Sequence, residues 1–399
     1  MSTVWQDIVR NAISLRRELH RHPELGWQEQ GTAERIRQQL TALDIPWRVC
    51  AQTGTVACLN AGSSGRHIAL RGDIDALPIV EQTELDWASH TSGCMHACGH
   101  DGHTATLIAT ASWLKAHEAK LPGPVTLIFQ PAEEGGHGAR EMIHDGALEN
   151  VDEIFGWHNW PALPFGELIC PDGIVMCGNG TFSIRVIGQG GHASQPELCR
   201  DPVLGASAIT LALQQVVSRR LAPQASAVLS ITSIEAPSAA TVIPGEAKLG
   251  GSIRVPDENT RQQLNQLIEE IAQQTATAYG LQCEVECHPR YQATINHADA
   301  ASRVRHCWRQ LYGSDAINHS LPVPIMASED FSYYLREIPG AFALIGADDG
   351  NGHDAPCHSA YYDFNDQLIP KVVRLYAALA GAAHDLDGEA HALPEAPAP

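Results

Sequence analysis

The sequence predicts an α/β protein: a large domain with a mixed, mostly parallel sheet flanked by helices, interrupted by a smaller two-layer α+β domain. Three observations carry that expectation. Short apolar runs bounded by turn residues alternate with helical stretches along the first part of the chain. From about Gly178 the texture changes to half-exposed strands of period two, and the earlier pattern later resumes. At 399 residues the chain also exceeds the size at which one core usually stops growing. The resulting boundaries are 1–178 with 290–399 for a discontinuous large domain and 179–289 for the insertion.

The elements follow in order. Ile8, Ala12, Leu15 and Leu19 share one helical face, a loop occupies 21–27, and a second helix runs to about Leu40. Strand-like runs at 56–59 and 68–71 come next, the second leading into Gly72-Asp73-Ile74-Asp75. A helix from Thr104 to about Glu118 precedes a strand at 125–130, and the run 151–155 leads to Trp157-His158. Ligands of open α/β sheets gather beyond the strand C-termini, where Asp73, Asp75 and Glu133-Glu134 fall. The insertion reads as strands at 181–188, 226–231 and 247–254 with helices at 203–219 and 260–279, in a strand–helix–strand–strand–helix–strand order. A last helix lies near 371–383, and the Ala-, Pro- and Glu-rich tail 388–399 is expected to be disordered.

Bulk composition excludes some functions. A hydrophobic fraction of 44% and a charged fraction of 18% suit a soluble globular protein. The net charge of −20 argues against nucleic acid or an anionic membrane as partner. Eleven scattered cysteines without a spacing framework favour reduced thiols. With neither a signal-peptide pattern nor a bilayer-length apolar run, a cytoplasmic protein is expected.

The densest chemistry is His96-Ala97-Cys98-Gly99-His100-Asp101-Gly102-His103. Thiolate, imidazole and carboxylate form the ligand set of borderline divalent metals. Gly99 lets the backbone turn tightly, so that Cys98 and His100 reach one site from a single loop. Taken alone, Cys98 reads better as a buried thiol and His100 as a polar residue at a helix start, and only with His96, Asp101 and His103 alongside does the metal reading prevail. In Glu133-Glu134-Gly135-Gly136, adjacent carboxylates point apart, so one suits a metal and the other a proton from water. A solvated acidic loop is the plain alternative. His158 and His358 fit both core and ligand roles. His192 in a glycine-rich turn and Arg254 at a strand end fit either a ligand contact or ordinary surface. HExxH, GxSxG and phosphate-loop motifs are absent from the sequence.

Together the motifs resemble the dinuclear metallo-amidohydrolases of the aminoacylase and carboxypeptidase superfamily. The nearest branch is that of hippurate hydrolases, N-acetyl-amino-acid deacetylases and indole-acetyl-amino-acid hydrolases. The matching segments run in order: His20 to Leu25, Arg71 to Pro78, His96 to His103, Gln130 to Gly136, Gly190 to Ala193, Ser328 to Phe331 and the segment around His358. The resemblance implies a catalytic α/β domain interrupted by a lid domain that also forms a homodimer. It implies two divalent ions per subunit, zinc or manganese with cobalt or nickel as alternatives, bound by Cys98, His100, Glu134, His158 and His358, with Cys98 bridging.

By the same resemblance Glu133 is the general base and then the acid, and Asp75 orients the metal centre. His192, reaching across a dimer, stabilises the oxyanion, and Arg254 holds the substrate carboxylate. The implied reaction is attack of metal-activated water on the amide of an N-acyl, above all N-acetyl, amino acid. The sequence departs from the branch at Pro196-Glu197, Thr241 and Ala327, and Glu197 points to a cationic substrate side chain. The competing readings are a dipeptidase or aminoacylase-like exopeptidase with the same centre, a cysteine-nucleophile amidase, and a non-catalytic metal-binding protein.

Overall fold

The computed structural model describes residues 3–382, so the tail 388–399 and the far end of the expected last helix lie outside the described residues. Helix α1 (Thr3–Arg21) buries Trp5, Val9, Ala12, Arg16 and Leu19, alternating steps of four and three residues that place them on one face. Ile8 and Leu15 flank this face and pack against the core from the side. Helix α2 (Gln30–Ala42) buries Thr32, Ala33, Ile36 and Leu40.

The strands that follow are β1 (Trp47–Cys50), β2 (Gly54–Leu59), β3 (Ile68–Asp73), β4 (Val125–Gln130), β5 (Glu153–Pro164) and β6 (Leu168–Ile169). With the late strand Gly340–Asp348 they form one sheet in the order β1-β2-β4-β3-β5-(Gly340–Asp348)-β6. The four central strands run parallel and the flanking pairs antiparallel. The mixed, mostly parallel sheet expected from the sequence is therefore present. Every residue of β3 and β4 is buried, as strands covered by helices on both faces require. Strand β1 carries no such signal: three of its four residues are exposed, and it pairs only with β2.

Two local results bear on the site. Helix α3 (His100–Ala116) starts four residues before the expected Thr104, capped by Gly99 with φ +93. Its polar first turn hides the start from any apolar pattern, and His100 is helical where a loop was expected. Strand β5 runs well past the apolar stretch at 151–155 and carries His158 within it.

The chain divides into two compact units: Met1–Gly173 with Ile295–Pro322 and Tyr333–Pro399, and Ile174–Thr294 with Val323–Ser332. The second unit has an antiparallel sheet in the order Val228–Glu235, Glu246–Val255, Gly178–Ile187, Gln282–Pro289. Helices Pro202–Leu213 and Glu258–Ala278 cover its apolar face through Ile209, Leu213, Leu264 and Ile268. Each is capped by an aspartate: Asp201 accepts from the Val203 and Leu204 amides, and Asp257 from the Thr260 amide.

Candidate metal centre

Strand ends and one helix start build the centre within the first unit. Asp75 follows β3, Glu133 and Glu134 follow β4, His158 stands in β5, and Cys98 and His100 flank the Gly99 cap of α3. A side chain at Gly99 would strike Asn159 Oδ1 and the Tyr362 hydroxyl, so the turn between the two donors needs glycine. His358 joins from the far end of the chain. Its amide donates to the Ala97 carbonyl at 2.7 Å, and its own backbone is left-handed at φ +70.

The donor atoms converge in overlapping sets. Those of Cys98, His100 and His158 lie within 4.8 Å of one another, as do those of Cys98, Glu134 and His358, and those of His100, Glu133 and Glu134. Cys98 belongs to both of the first two sets.

The hydrogen bonds orient both buried imidazoles. His158 Nδ1 donates to the Asn159 carbonyl at 2.6 Å, leaving Nε2 3.3 Å from Cys98 Sγ. His100 Nδ1 donates to the Asp75 carbonyl at 2.9 Å and stands 3.2 Å from Asp75 Oδ1. Its Nε2 is buried without a hydrogen bond among the described residues. A histidine that gives one ring N–H to a carbonyl or carboxylate and aims its other nitrogen into a donor cluster is arranged as metal ligands are. Asp75 also accepts the Glu134 amide on Oδ2 at 3.0 Å, so one carboxylate sets both His100 and the Glu134 backbone.

The electrostatics fit a cation. Burial opposes charge on His100, yet Asp73 and Asp75 outweigh it and push its pKa up to about 10. Burial, joined by His103, drives His158 far down, which keeps its Nε2 lone pair free of a proton. A hydrogen bond with Cys357, then burial and the charges of Glu134 and Glu133, push the Cys98 thiol up. Glu134, despite burial, is held below its usual range by His358 and then His100. The buried negative charge that holds a proton on His100 would attract a divalent ion instead. Soft and borderline donors within reach of each other thus fit such an ion.

Of the remaining polar residues of the motif, His103 forms a further donor set with Asp73 and His100, while Asp101 and His96 turn elsewhere. His103 bonds Asp73 at 2.6 Å and Asn159 at 2.7 Å, and Asp101 pairs with Arg16 at 3.0 Å and His20 at 2.7 Å. His96 is buried beside His20. Sequence reasoning missed Arg16, Asn159, Tyr362 and Cys357. A charged residue on the buried stripe of α1 was the available signal for Arg16, whereas Asn159 and Tyr362 left none.

The second unit carries His192, Glu197 and Arg254. His192 is exposed, with Ser194 Oγ 2.8 Å from its Nδ1. Glu197 is exposed on the short turn Pro196–Leu198. Arg254 is half-buried, and burial followed by Arg290 lowers its pKa.

A model of peptidase family M20/M25/M40 matches residues 69–382. The chain belongs to that family. M20 relatives include an IAA-amino acid hydrolase (ILR1-like 2) of Arabidopsis thaliana, 38% identical over 92% of this chain and 84% of the relative. A hippurate hydrolase of Campylobacter jejuni is 37% identical over 92% of this chain and 94% of its own. An N-acetylcysteine deacetylase of Bacillus subtilis is 38% identical over 92% and 95%. The crystal structure of Bacillus subtilis YXEP, described as a dinuclear metal binding peptidase from the M20 family, superposes with a TM-score of 0.80. It is 33% identical and covers 96% of this chain and 99% of that one. As a member of the M20 family this chain is an amidohydrolase.

Proposed function

We propose that the protein hydrolyses the amide bond of N-acyl amino acids with two divalent metal ions held by Cys98, His100, Glu134, His158 and His358. The observation that carries this reading is Cys98, whose sulfur is common to a His100–His158 set and a Glu134–His358 set. Common to both sets, the Cys98 sulfur would be available to either ion as a thiolate ligand. The relatives named as hydrolases of hippurate, of IAA-amino acids and of N-acetylcysteine support the substrate class.

When bound, the ions would supply Lewis acidity to the amide carbonyl and make a water acidic enough to lose its proton near neutral pH. Glu133, 6% exposed beside Glu134, takes that proton and returns it to the departing amine. Asp75 orients His100 and the Glu134 backbone. His192 serves the oxyanion from a second subunit, Arg254 grips the substrate carboxylate, and Glu197 favours a cationic substrate side chain. Homodimer formation through the second unit is supported by its edge strand Val228–Glu235, unpaired on one side among the described residues, and by exposed Leu204 and Leu211 on Pro202–Leu213. Zinc or manganese suits the donor set, and the cytoplasm suits the reduced thiols. No described helix is long and apolar enough to cross a membrane.

The test is amine release from N-acetyl and N-benzoyl amino acids and dipeptides. Each is assayed as purified, after chelation, and after return of manganese, zinc, cobalt or nickel. Activity lost on chelation and restored by one ion is the expected result. Activity indifferent to chelation would overturn the metal reading and favour Cys98 as a nucleophile.

A further inference from the structure

Glu29 immediately precedes α2 and is fully buried, yet its side chain caps no amide of that helix. That task falls to Glu24, whose two carboxylate oxygens accept the Gly31 and Thr32 amides at 3.0 and 2.7 Å. The Glu29 carboxylate instead reaches the loop after β4. Its Oε1 accepts the Ala132 amide at 2.9 Å, and its Oε2 accepts the Thr53 hydroxyl at 2.7 Å.

Ala132 is the residue before Glu133, and its backbone is left-handed at φ +50. A non-glycine residue in that region is strained and persists only where surrounding contacts over-determine it. Those contacts converge here from the N-terminal segment. Gly26 packs so closely that a Cβ there would lie 3.2 Å from Ala132 Cα and Cβ. Trp27 Nε1 donates to the Gly136 carbonyl at 3.2 Å, holding the far end of the loop. Burying a carboxylate is costly unless donors compensate it. The Thr53 hydroxyl and the Ala132 amide compensate Glu29, and the donor supplied by the loop belongs to the strained residue beside Glu133.

We propose that Glu29 is a positioning residue, fixing through Ala132 the backbone from which Glu133 and Glu134 project. The proposal rests on the reading of Glu133 as general base. It requires acceptor geometry rather than charge: a glutamine can still accept the Ala132 amide while its NH2 donates to a rotated Thr53 hydroxyl. Aspartate keeps the charge and falls one methylene short.

Three variants are compared with the wild type in metal content, kcat, KM, thermal melting and amide hydrogen exchange over 132–137. In Glu29→Ala and Glu29→Asp, kcat falls about 10- to 100-fold with little change in KM or metal content, the scale of a small misplacement of a reacting group. Loop amides exchange at least about 10-fold faster. Glu29→Gln stays within about 3-fold of wild type in kcat and exchange. Glu29→Gln as impaired as Glu29→Asp would overturn the proposal, as would loop exchange unchanged in Glu29→Asp. The exchange measurement needs no substrate. It therefore decides the role of Glu29 even if N-acyl amino acids prove not to be cleaved, and Glu29→Asp serves if Glu29→Ala fails to fold.

Discussion

Cys98 and His100 sit within three residues of Asp101, in one motif and all buried, yet the two ends of the motif do opposite things. Asp101 meets Arg16 at 3.0 Å and His20 at 2.7 Å, and Arg16 goes on to Asp363 at 2.7 Å, so buried charge meets buried countercharge. Cys98, His100 and His158 crowd their donor atoms together, with Asp73, Asp75 and Glu134 adding negative charge around them. The first arrangement pairs charge with countercharge, whereas the second gathers donor atoms of the kinds that hold a divalent ion. Ion pairs of the first kind maintain structure, and donor clusters of the second kind bind ligands.

The sharpest way to break this contrast is Cys98→Ala. It should lower amide hydrolysis by about three orders of magnitude and reduce the metal held per subunit, measured by elemental analysis. Full metal content with full turnover would remove Cys98 from the centre. Glu133→Gln should lower kcat about 10²- to 10⁴-fold while metal content and melting stay as in the wild type. Loss of metal in that variant would instead make Glu133 a ligand.

On the paired side, Asp101→Ala leaves Arg16 and His20 buried without their main partner. It should destabilise the protein by about 3–5 kcal/mol in urea unfolding, since breaking a buried pair costs more than the pair contributes. A shift no larger than that of a surface substitution would show that the network is not structural.

The same network gives a pH signature. Despite burial, Asp101 and then Glu81 hold His20 above its ordinary 6.5, so its contribution is complete below about 6.5 and is lost as pH rises through the elevated value. Burial likewise opposes Asp101, but Arg16 and His20 hold it below its ordinary 3.8, so its share is present above that value and lost in stronger acid. The stability gap between wild type and His20→Gln should therefore be widest at about pH 4–6.5 and narrow above it. A gap that grows with alkaline pH would contradict the pairing.

The smallest effect is expected on the exposed turn of the second unit. Glu197→His should change the preference for N-acetyl diamino acids over hippurate by about 3-fold, the scale of an exposed charge pair. An unchanged ratio of kcat/KM would dismiss Glu197 as a specificity residue.

Much of this was legible in the sequence. The α1 and α2 periodicity, the apolar runs of β3 and β4, and the ordered motifs marked the fold and the donor residues, because burial and ligand chemistry restrict residue type locally. The start of α3 was hidden, since a polar first turn after Gly99 carries no apolar period. Strand β1 was hidden because an exposed edge has no inside face to encode. The sequence by itself determined which residue types were available: the Cys98 thiol among eleven cysteines, several imidazoles and a pair of carboxylates at strand ends. Only the tertiary structure decided which of them share a space. It turned Asp101 and His103 away from Cys98, set Arg16 on a buried stripe to receive Asp101, brought His358 to Ala97, and gave Glu29 to Ala132. Such partnerships join segments far apart in the chain, so packing and charge compensation in three dimensions decide them.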